Sequence, residues 1–258
     1  MIPRIIPVLL LANGGLVKTV RFQDPRYVGD PINAVRIFND KQVDELVVLD
    51  IRTTVDGRPP DEASIAEIAG EAFMPVAYGG GVRDVGTATR LIQLGVEKIV
   101  VNAAAVERPA DVAAIADRLG SSTLVVAIDA IQAGDAWEVA THSASRRTGL
   151  DVRKHAEAMA RLGAGELFVT SVDRDGTMDG YDLELVRTVA NAVDVPVVAC
   201  GGAGSLEDLA AVVRDGGATA AAAGSLFVFH GRHRAVLITY PSYEARVALF
   251  RSGDSPDA

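Results

Sequence analysis

Glu166-Leu167-Phe168-Val169 repeats the pattern of Glu45-Leu46-Val47-Val48, in which an acidic residue precedes a short apolar run. Further along, Pro196 followed by Gly201-Gly202 repeats Pro75 followed by Gly80-Gly81 at the same offset. Each run is apolar throughout, as expected of a strand that is covered on both faces of a parallel sheet. The matching stretches therefore indicate a chain built from two similar halves.

Short apolar runs alternate along the whole chain with amphipathic stretches that begin at acidic, Ser or Pro residues, which is typical of βα units. The predicted strands are Ile5–Leu10, Leu46–Asp50, Val76–Tyr78, Ile99–Val101, Leu124–Asp129, Leu167–Thr170, Val197–Ala199 and Thr219–Ala222. The predicted helices include Asp61–Ala72, Val85–Leu94, Pro109–Leu119, Asp151–Leu162, Asp182–Ala192 and Ser205–Asp215. This order predicts an α/β fold of the (β/α)8 TIM barrel type, with a half-barrel internal repeat.

The length of the chain fits one barrel. Its 258 residues match the roughly 250 residues of a single (β/α)8 domain, so we predict one domain over residues 1–252. The tail of residues 253–258 has little to bury and is expected to be disordered. The rival fold, an open doubly wound sheet, usually has a GxGxxG motif after its first strand, and Asn13-Gly14-Gly15 does not supply it.

The net charge and the apolar content of the chain limit the kinds of partner that it is expected to bind. The formal net charge of -9 argues against a nucleic-acid partner, because phosphate backbones bind basic surfaces. No apolar run approaches the roughly 18 residues of a membrane span, so no membrane association is expected. The single cysteine, Cys200, excludes an internal disulfide and suits a reducing cytoplasm. We therefore expect a cytoplasmic protein that acts on small metabolites.

Loops able to bind phosphate follow four of the predicted strands. In the second half these loops contain Gly201, Gly202, Gly204, Gly224 and Ser225, and in the first half they contain Gly80, Gly81, Asn102 and Ala103. Barrels of this type commonly bind phosphate after strands seven and eight, where bare backbone N–H groups face the anion. The repeat predicts a second such site and hence a phosphorylated small molecule with two phosphate groups, although any one loop can also be a tight turn.

Carboxylates stand at the ends of three predicted strands. Asp50 ends the second strand, Asp129 ends the fifth, and Asp173 and Asp175 follow the sixth. A partly desolvated carboxylate at a barrel mouth can serve as a general acid or base. The alternative is that Asp50 caps a helix and Asp175 belongs to a turn. Asp129 is hardest to explain in this way, because an acid that ends an apolar strand needs a partner or a task.

The histidines do not predict a metal site. His142 in a predicted hairpin and His155 on a helix face are expected to be exposed. His230 and His233 have no carboxylates at metal-ligand spacing beside them, so neither a metal nor a cofactor is predicted.

Two further features near the predicted rim have simple interpretations. A basic patch of His230, His233, Arg232 and Arg234 suits an anionic ligand or a partner. The lone Cys200 is expected to be a packed thiol rather than a nucleophile.

Four motifs carry a resemblance to a known family. They are Tyr78-Gly79-Gly80-Gly81-Val82, Ala127-Ile128-Asp129-Ala130, Ser171-Val172-Asp173-Arg174-Asp175-Gly176-Thr177 and Gly201-Gly202-Ala203-Gly204. Together they resemble the cyclase subunit of imidazole glycerol phosphate synthase over about residues 4–229. The resemblance implies a barrel that receives ammonia from a glutaminase subunit at its amino-terminal face and uses it to split and cyclise a bis-phosphorylated nucleotide.

The resemblance also implies roles for particular residues. Asp129 corresponds to the family's acid–base aspartate after strand five, Asp175 to the aspartate after strand six, and Lys18 to a loop lysine. The family's ammonia gate is a ring of alternating charges at the barrel bottom. The residues that match this ring are Arg4, Glu45, Lys98 and Glu166.

Two departures from the family pattern affect its function. Leu10 stands where the family's principal catalytic aspartate ends strand one, and the internal repeat independently pairs Leu10 with Asp129. Loss of one of two opposed carboxylates is expected to remove about 10²–10⁴ of the rate. The segment from Phe229 to Leu237 is also expected to replace the closing amphipathic helix. Both features resemble the paralogous barrels that accompany sugar amidotransferases in surface-polysaccharide synthesis.

The predicted function is therefore an ammonia-conducting barrel that pairs with a glutaminase and supports amidation of a nucleotide-linked sugar, with a sugar amidotransferase as a further partner. The first alternative is the ordinary cyclase of histidine biosynthesis. A second alternative is a scaffold without catalytic activity that binds phosphate as a structural or regulatory ligand.

Overall fold

The structure, a computed structural model, describes residues 2–251 and contains a closed barrel of parallel strands. The eight barrel strands are β1 (Arg4–Ala12), β4 (Leu46–Asp50), β5 (Val76–Gly79), β6 (Lys98–Val101), β7 (Leu124–Ala133), β10 (Glu166–Ser171), β11 (Val197–Cys200) and β12 (Ala220–Ala223). Every predicted strand overlaps one of them. Parallel pairing runs around the barrel, and β10 pairs with β7 to join its two halves. The predicted (β/α)8 TIM barrel is confirmed.

Helices cover the outside of the barrel between successive strands. They are α1 (Pro31–Asp40), α2 (Glu62–Glu71), α3 (Val85–Gln93), α4 (Ala103–Glu107), α5 (Pro109–Leu119), α6 (Val152–Arg161), α7 (Leu183–Ala190), α8 (Leu206–Arg214), α9 (Ser225–Val228) and α10 (Tyr243–Arg251). The side chains of Asp61, Asp151, Asp182 and Ser205 cap helices rather than lie within them. Such caps satisfy backbone N–H groups that have no partner in the first turn.

The half-barrel repeat extends to two hairpins beside the barrel. β1 continues into β2 (Gly15–Val20) and β3 (Gln23–Gly29), and β7 continues into β8 (Ala136–Thr141) and β9 (Arg146–Asp151). Both hairpins therefore arise from the first strand of a half-barrel, at its carboxyl end. They place additional side chains around the barrel mouth.

Two apolar layers hold the structure together. The larger layer lies between the strands and the outer helices and includes Phe38, Leu91 and Leu185, which are fully buried. The second layer fills the barrel interior with apolar side chains and Cys200. Its members are Ile6, Val8, Val47, Ala77, Val100, Val125, Ala127, Phe168, Val198, Cys200, Ala220 and Ala222. Inward-facing side chains stacked in this way are the usual core of such barrels.

The carboxyl-terminal segment differs in part from expectation. A short hairpin, β13 (Phe229–His230) with β14 (Ala235–Val236), stands after α9, and helix α10 follows it. The expectation that this segment replaces the closing helix is wrong, because a helix still packs against α8 beyond the hairpin. The predicted disordered tail, residues 253–258, lies outside the described residues, and the single domain stays a prediction.

Candidate functional site

A cavity of about 440 Å³ opens at the carboxyl ends of the barrel strands. Its walls include three of the four carboxylates considered for acid–base work, Asp50, Asp129 and Asp175, together with Lys18. Leu10 and Leu49 also line it. Because parallel strands all end at this rim, residues far apart in sequence meet here, as the barrel architecture predicts.

Asp129 lies on β7 at the inner wall of the cavity. Burial raises the pKa of its carboxyl to about 7, and the nearby charge of Asp175 adds to the effect. Among residues 2–251 no group donates a hydrogen bond to this carboxyl that would favour its ionised form. A carboxyl with a pKa near neutrality can both donate and accept a proton at physiological pH.

Lys18 projects from β2 into the same cavity and is almost completely buried. Its Nζ atom donates a hydrogen bond to the carbonyl oxygen of Val8 at 2.6 Å. Burial lowers the pKa of its ammonium group to about 8, although the charge of Asp175 opposes that shift. A Cβ atom at Gly224 would lie only 2.6 Å from Lys18 Nζ, so the glycine leaves room for this side chain.

Asp175 follows β10 and is fastened to the β2–β3 hairpin. Its Oδ2 atom accepts hydrogen bonds from the Thr19 hydroxyl at 2.8 Å and from the Phe22 N–H at 3.3 Å. Burial raises the pKa of Asp175, while these hydrogen bonds and the charge of Lys18 act against the rise. Asp175 thus both faces the cavity and fixes the hairpin that carries Lys18.

Two other carboxylates have structural tasks. Asp50 Oδ1 accepts the backbone N–H groups of Arg52 at 2.9 Å and Thr53 at 3.0 Å, so it caps the turn after β4 while lining the cavity. Asp173 is exposed and its Oδ2 accepts the Gln132 N–H at 2.8 Å. Asp50 therefore caps a turn and not a helix, which corrects the alternative interpretation, and a catalytic role for it stays a prediction.

Leu10 occupies the position in the first half-barrel that Asp129 occupies in the second. Leu10 pairs with Leu49 on β4, and Asp129 pairs with Thr170 on β10. Leu49 and Thr170 are themselves equivalent in the repeat, since they stand at corresponding places after Glu45 and Glu166. All four side chains line the cavity. An apolar side chain therefore faces the cavity where symmetry would place a second carboxyl.

The loops of the first half-barrel that were predicted to bind phosphate lie together on the cavity wall. Gly80 and Gly81 have φ angles of 122° and 70°, and a Cβ atom at Gly80 would lie 2.5 Å from the Asp50 carbonyl oxygen. Asn102 Nδ2 donates to the carbonyl oxygens of Ala127 and Ala140, both at 3.2 Å, and Ala103 begins α4. The Gly81 N–H is not bare as expected, because it bonds to the Thr54 hydroxyl at 3.0 Å.

The corresponding loops of the second half-barrel repeat this geometry. Gly201 and Gly202 have φ angles of 89° and 112°, and Gly224 and Ser225 lead into the short helix α9. The Gly204 N–H bonds to the Asp208 carboxylate at 2.9 Å, which corrects the expectation that it is bare. Gly224 and Ser225 line the large cavity. The loops therefore form tight turns at matched positions in the two half-barrels. Phosphate binding at these loops stays a prediction.

His142 and Ser143 are cavity residues that sequence reasoning missed. His142 was expected to be exposed, yet its side chain is only 10% exposed and its Nε2 atom lies 3.6 Å from Glu107 Oε1. Ser143 donates a hydrogen bond to the Ile51 carbonyl oxygen at 2.7 Å. This contact folds the β8–β9 turn over the barrel mouth, and no local signal in the sequence could have shown it.

His155 was also expected to be exposed and is buried. Burial lowers the pKa of its imidazole to about 4, so the ring is neutral at physiological pH. Val152, Ala156 and Met159 are buried with it at helical spacing, so the periodicity of α6 could have predicted this.

The remaining candidates are the two histidines of the short hairpin and the lone cysteine. His230 and His233 are exposed on the short hairpin. Cys200 is buried, and burial raises the pKa of its thiol to about 12, which keeps it protonated. Within residues 2–251 no cluster of His, Cys, Asp or Glu could hold a metal ion, and no helix is long and apolar enough to cross a membrane.

A closed ring of four charges lies at the opposite end of the barrel, where the strands begin. Lys98 Nζ lies 2.8 Å from Glu45 Oε1 and 3.3 Å from Glu166 Oε1. Arg4 pairs with the same two glutamates through its two terminal nitrogens. The side chains of Glu45 and Glu166 are 4% and 10% exposed. The four residues predicted from the resemblance therefore do form one ring, which we call the charged ring.

Comparison with known proteins shows to which family the chain belongs. Residues 4–234, which include the charged ring and every candidate cavity residue, match the sequence profile of the family described as "Histidine biosynthesis protein". The chain belongs to the histidine biosynthesis protein family. This membership agrees with the closed barrel and with the resemblance of its motifs.

Individual members of the family are similar over nearly the full chain. A protein of Leptospira interrogans is 47% identical over 253 residues, 96% of this chain and 98% of the relative, and is provisionally named imidazole glycerol phosphate synthase subunit HisF. A Pseudomonas aeruginosa relative with a provisional name, subunit hisF2, is 48% identical over 92% of this chain and 95% of its own. The imidazole glycerol phosphate synthase subunit HisF of Hyphomonas neptunium is 43% identical over 97% and 96%. Within the histidine biosynthesis protein family, this chain is thus similar to the cyclase subunits of the synthase.

Proposed function

We propose that this barrel conducts ammonia from a glutaminase subunit, bound at its amino-terminal face, toward amidation of a nucleotide-linked sugar in surface-polysaccharide synthesis. The observation that carries the proposal is Leu10, which faces the cavity at the position equivalent to Asp129. A leucine side chain cannot transfer a proton. The splitting and cyclisation of the substrate that the resemblance implies therefore lack one of the two opposed carboxyls.

The opposite end of the barrel supports the conduit half of the proposal. The charged ring surrounds the barrel axis where the strands begin, and the side chains of the barrel interior between the ring and the cavity are apolar apart from Cys200. Neutral ammonia can enter such an interior, whereas an ammonium ion would lose most of its solvation there. Ala77, Ala127, Ala220 and Ala222 contribute small side chains to this interior.

Binding of a partner subunit would explain the charged ring better than fold stability does. Two buried glutamates held by two cations are costly to desolvate, and replacing such a cluster with apolar residues is often neutral or stabilising. A cluster that opens on binding of a glutaminase would instead explain why charges are kept at this place. In the proposal, the ring separates the ammonia source from the barrel interior until the two subunits are joined.

The names of similar proteins are consistent with this proposal and with its main alternative. The hisF2 relative of Pseudomonas aeruginosa and the hisF3 relative of Vibrio vulnificus are numbered as additional copies of the subunit, which suits a role outside histidine biosynthesis. The alternative, an ordinary cyclase, is favoured by the convergence of Asp129, Lys18 and Asp175 in one cavity.

The experiment that tests the proposal joins the barrel to the glutaminase encoded beside its gene. The two proteins are co-expressed with the amidotransferase from the same cluster, and product is measured from glutamine and separately from ammonium chloride. We expect co-purification, and we expect Lys98→Ala to change product formation from glutamine much more than from ammonium. Failure to co-purify, or equal loss with both nitrogen sources, would contradict the conduit.

A genetic measurement separates the alternatives. If the chain is an ordinary cyclase, it restores growth of a histidine auxotroph that lacks its own cyclase subunit, and deletion of its gene creates a histidine requirement. If the chain is a scaffold that only binds phosphate, deletion of its gene leaves histidine synthesis unchanged and leaves the amidation of the surface polysaccharide unchanged. We expect no complementation, together with loss of the amidated sugar on deletion.

A further inference from the structure

The carboxyl-terminal segment after the short hairpin reaches the start of the barrel's first strand. Backbone N–H groups of Leu237 and Thr239 bond to the carbonyl oxygens of Val228 and Phe227, both at 2.9 Å. The Tyr240 ring then packs on the Phe227 ring, with 5.4 Å between their centroids. These contacts fix the direction in which Tyr240 and the following helix α10 approach the barrel.

Tyr240 and Arg246 from this segment meet Asp44, which stands just before β4. Arg246 Nη1 forms an ion pair with Asp44 Oδ1, and the Arg246 guanidinium lies 5.3 Å from the centroid of the Tyr240 ring. The Tyr240 hydroxyl lies 3.3 Å from Asp44 Oδ2. The Arg246 side chain is only 8% exposed, so its charge depends on this one carboxylate. We call these three residues, Asp44, Tyr240 and Arg246, the latch.

The latch holds the backbone of Ile5 from both sides. Asp44 Oδ2 accepts the Ile5 N–H at 3.1 Å, and the Tyr240 hydroxyl donates to the Ile5 carbonyl oxygen at 2.8 Å. Pairing of β1 with β4 begins only at Val8. Near Ile5, the start of β1 is therefore joined to the segment before β4 by side chains of the latch rather than by the strand ladder.

The latch and the charged ring are neighbours along the chain at two points. Ile5, which the latch holds, follows Arg4 in the chain, and Asp44, a member of the latch, precedes Glu45. Arg4 and Glu45 form one of the ring's ion pairs. A shift of α10 that released Asp44 would thus loosen both partners of that pair at once.

We propose that the latch positions the charged ring, so that the seating of α10 sets how well ammonia passes from the partner subunit into the barrel. Asp44, Tyr240 and Arg246 act as positioning residues that lie at the far end of the barrel from the cavity. Asp44 and Tyr240 bond to the backbone of Ile5, next to Arg4, and Arg246 holds Asp44, next to Glu45. This inference rests on the proposed function, because the ring matters for transfer only if ammonia enters there. Residues in such a contiguous network of contacts can change the coupling between two sites although they contact neither ligand.

The test compares glutamine-driven with ammonium-driven product formation in the complex of barrel, neighbouring glutaminase and amidotransferase. The variants are Asp44→Asn, which keeps a hydrogen-bond acceptor but removes the charge, and Arg246→Met, which keeps much of the side-chain length. Arg251→Met, at the exposed end of the same helix, is the matched control. We expect the ratio of glutamine-driven to ammonium-driven rate to fall at least about fivefold in both latch variants and to stay unchanged in the control.

A milder variant guards against simple unfolding. Tyr240→Phe removes only the hydroxyl that reaches Ile5 and is expected to lower the same ratio by about twofold, on the scale of one neutral hydrogen bond. A ratio that stays at the parent value in folded latch variants overturns the inference while leaving the proposed function intact. Equal losses with both nitrogen sources also overturn it, because they show a structural role only. Absence of glutamine-driven product in the parent complex overturns the proposed function and the latch together.

Discussion

Lys98 and Glu45 form a two-point ion pair, with the Lys98 Nζ atom 2.8 Å from one carboxylate oxygen of Glu45 and 2.9 Å from the other. The Glu45 side chain is 4% exposed, so little water can replace the lysine if it is lost. Arg4 and Glu166 complete the same ring from the other side. This arrangement makes the charged ring a sensitive place to test both stability and transfer.

Removal of Lys98 should destabilise the fold. In Lys98→Ala, Glu45 and Glu166 share only Arg4, and we expect the free energy of unfolding to fall by about 3 kcal/mol, as for a broken buried ion pair. Adding Glu166→Gln removes the surplus negative charge and should recover part of the loss. Urea denaturation measures both effects, with Lys154→Ala on the exposed face of α6 as the control. An equal, small effect of the Lys98 and Lys154 substitutions would contradict a buried ring.

The two pairs of loops should bind two inorganic phosphate ions, since their donors do not depend on the missing carboxyl of strand one. In Ala103→Asp, a carboxylate at the start of α4 should weaken binding in the first half-barrel at least about tenfold through charge repulsion, and leave the second site intact. The helix itself tolerates an acid in its first turn. Ala110→Asp in the first turn of α5 is the matched control.

Calorimetry or amide chemical shifts can follow this titration. Two binding events in the parent and in Ala110→Asp, and one strong event in Ala103→Asp, are the expected result. A parent protein that binds no phosphate, or an Ala103→Asp variant that binds two ions with unchanged affinity, would show that the loops are only tight turns.

Stability should depend on pH through Asp129. Its pKa is raised to about 7 in the folded protein, so the folded state keeps a proton that the unfolded state has already released above about pH 4. The contribution of this group to stability is therefore full below about pH 4, declines as the pH rises from about 4 to about 7, and is lost above that. Asp129→Asn removes that decline. We therefore expect the free energy of unfolding of the variant, relative to that of the parent, to be about 2 kcal/mol higher at about pH 8 than at about pH 5.

Denaturation curves at the two pH values measure this difference directly. Asp135→Asn, at the exposed turn of the same β7–β8 hairpin, provides the control and should show no comparable dependence. If Asp129→Asn changes stability equally at both pH values, then the carboxyl is ionised throughout and cannot serve as a near-neutral acid or base.

Much of the barrel could be predicted because its strands are buried on both faces. Continuous apolar runs such as residues 46–49 and 197–200 stand out from any other local pattern, and the repeat shows that they belong to two halves. The caps at Asp61 and Ser205 likewise obey local chemistry. These elements need no knowledge of distant contacts, which is why the sequence reveals them.

The missed features depend on distant contacts or on exposed backbone. β3 contains Asp24 and Pro25 and is largely exposed, so neither alternation nor apolar content marks it as a strand. His142 lies in a turn that contacts the barrel mouth through a hydrogen bond from Ser143 to Ile51, many residues away. The latch residues Tyr240 and Arg246 gain their importance from Asp44 at the other end of the chain. Local sequence patterns cannot show such pairings. The equivalence of Leu10 and Asp129 was predicted from their places at the ends of matching strands, and the strand register confirms it, because Leu10 pairs with Leu49 and Asp129 pairs with Thr170.

The most direct test of the account is the steady-state rate of cyclisation with ammonium salts and the bis-phosphorylated nucleotide substrate of imidazole glycerol phosphate synthase. The parent and Leu10→Asp are compared, with Leu10→Asn as a control of similar size that cannot transfer a proton. We expect a very slow parent, an equally slow Leu10→Asn, and a gain of about 10²–10⁴-fold in kcat/KM for Leu10→Asp. A parent that already turns over at the rate of an aspartate-containing family member would contradict this expectation and identify the chain as an ordinary cyclase.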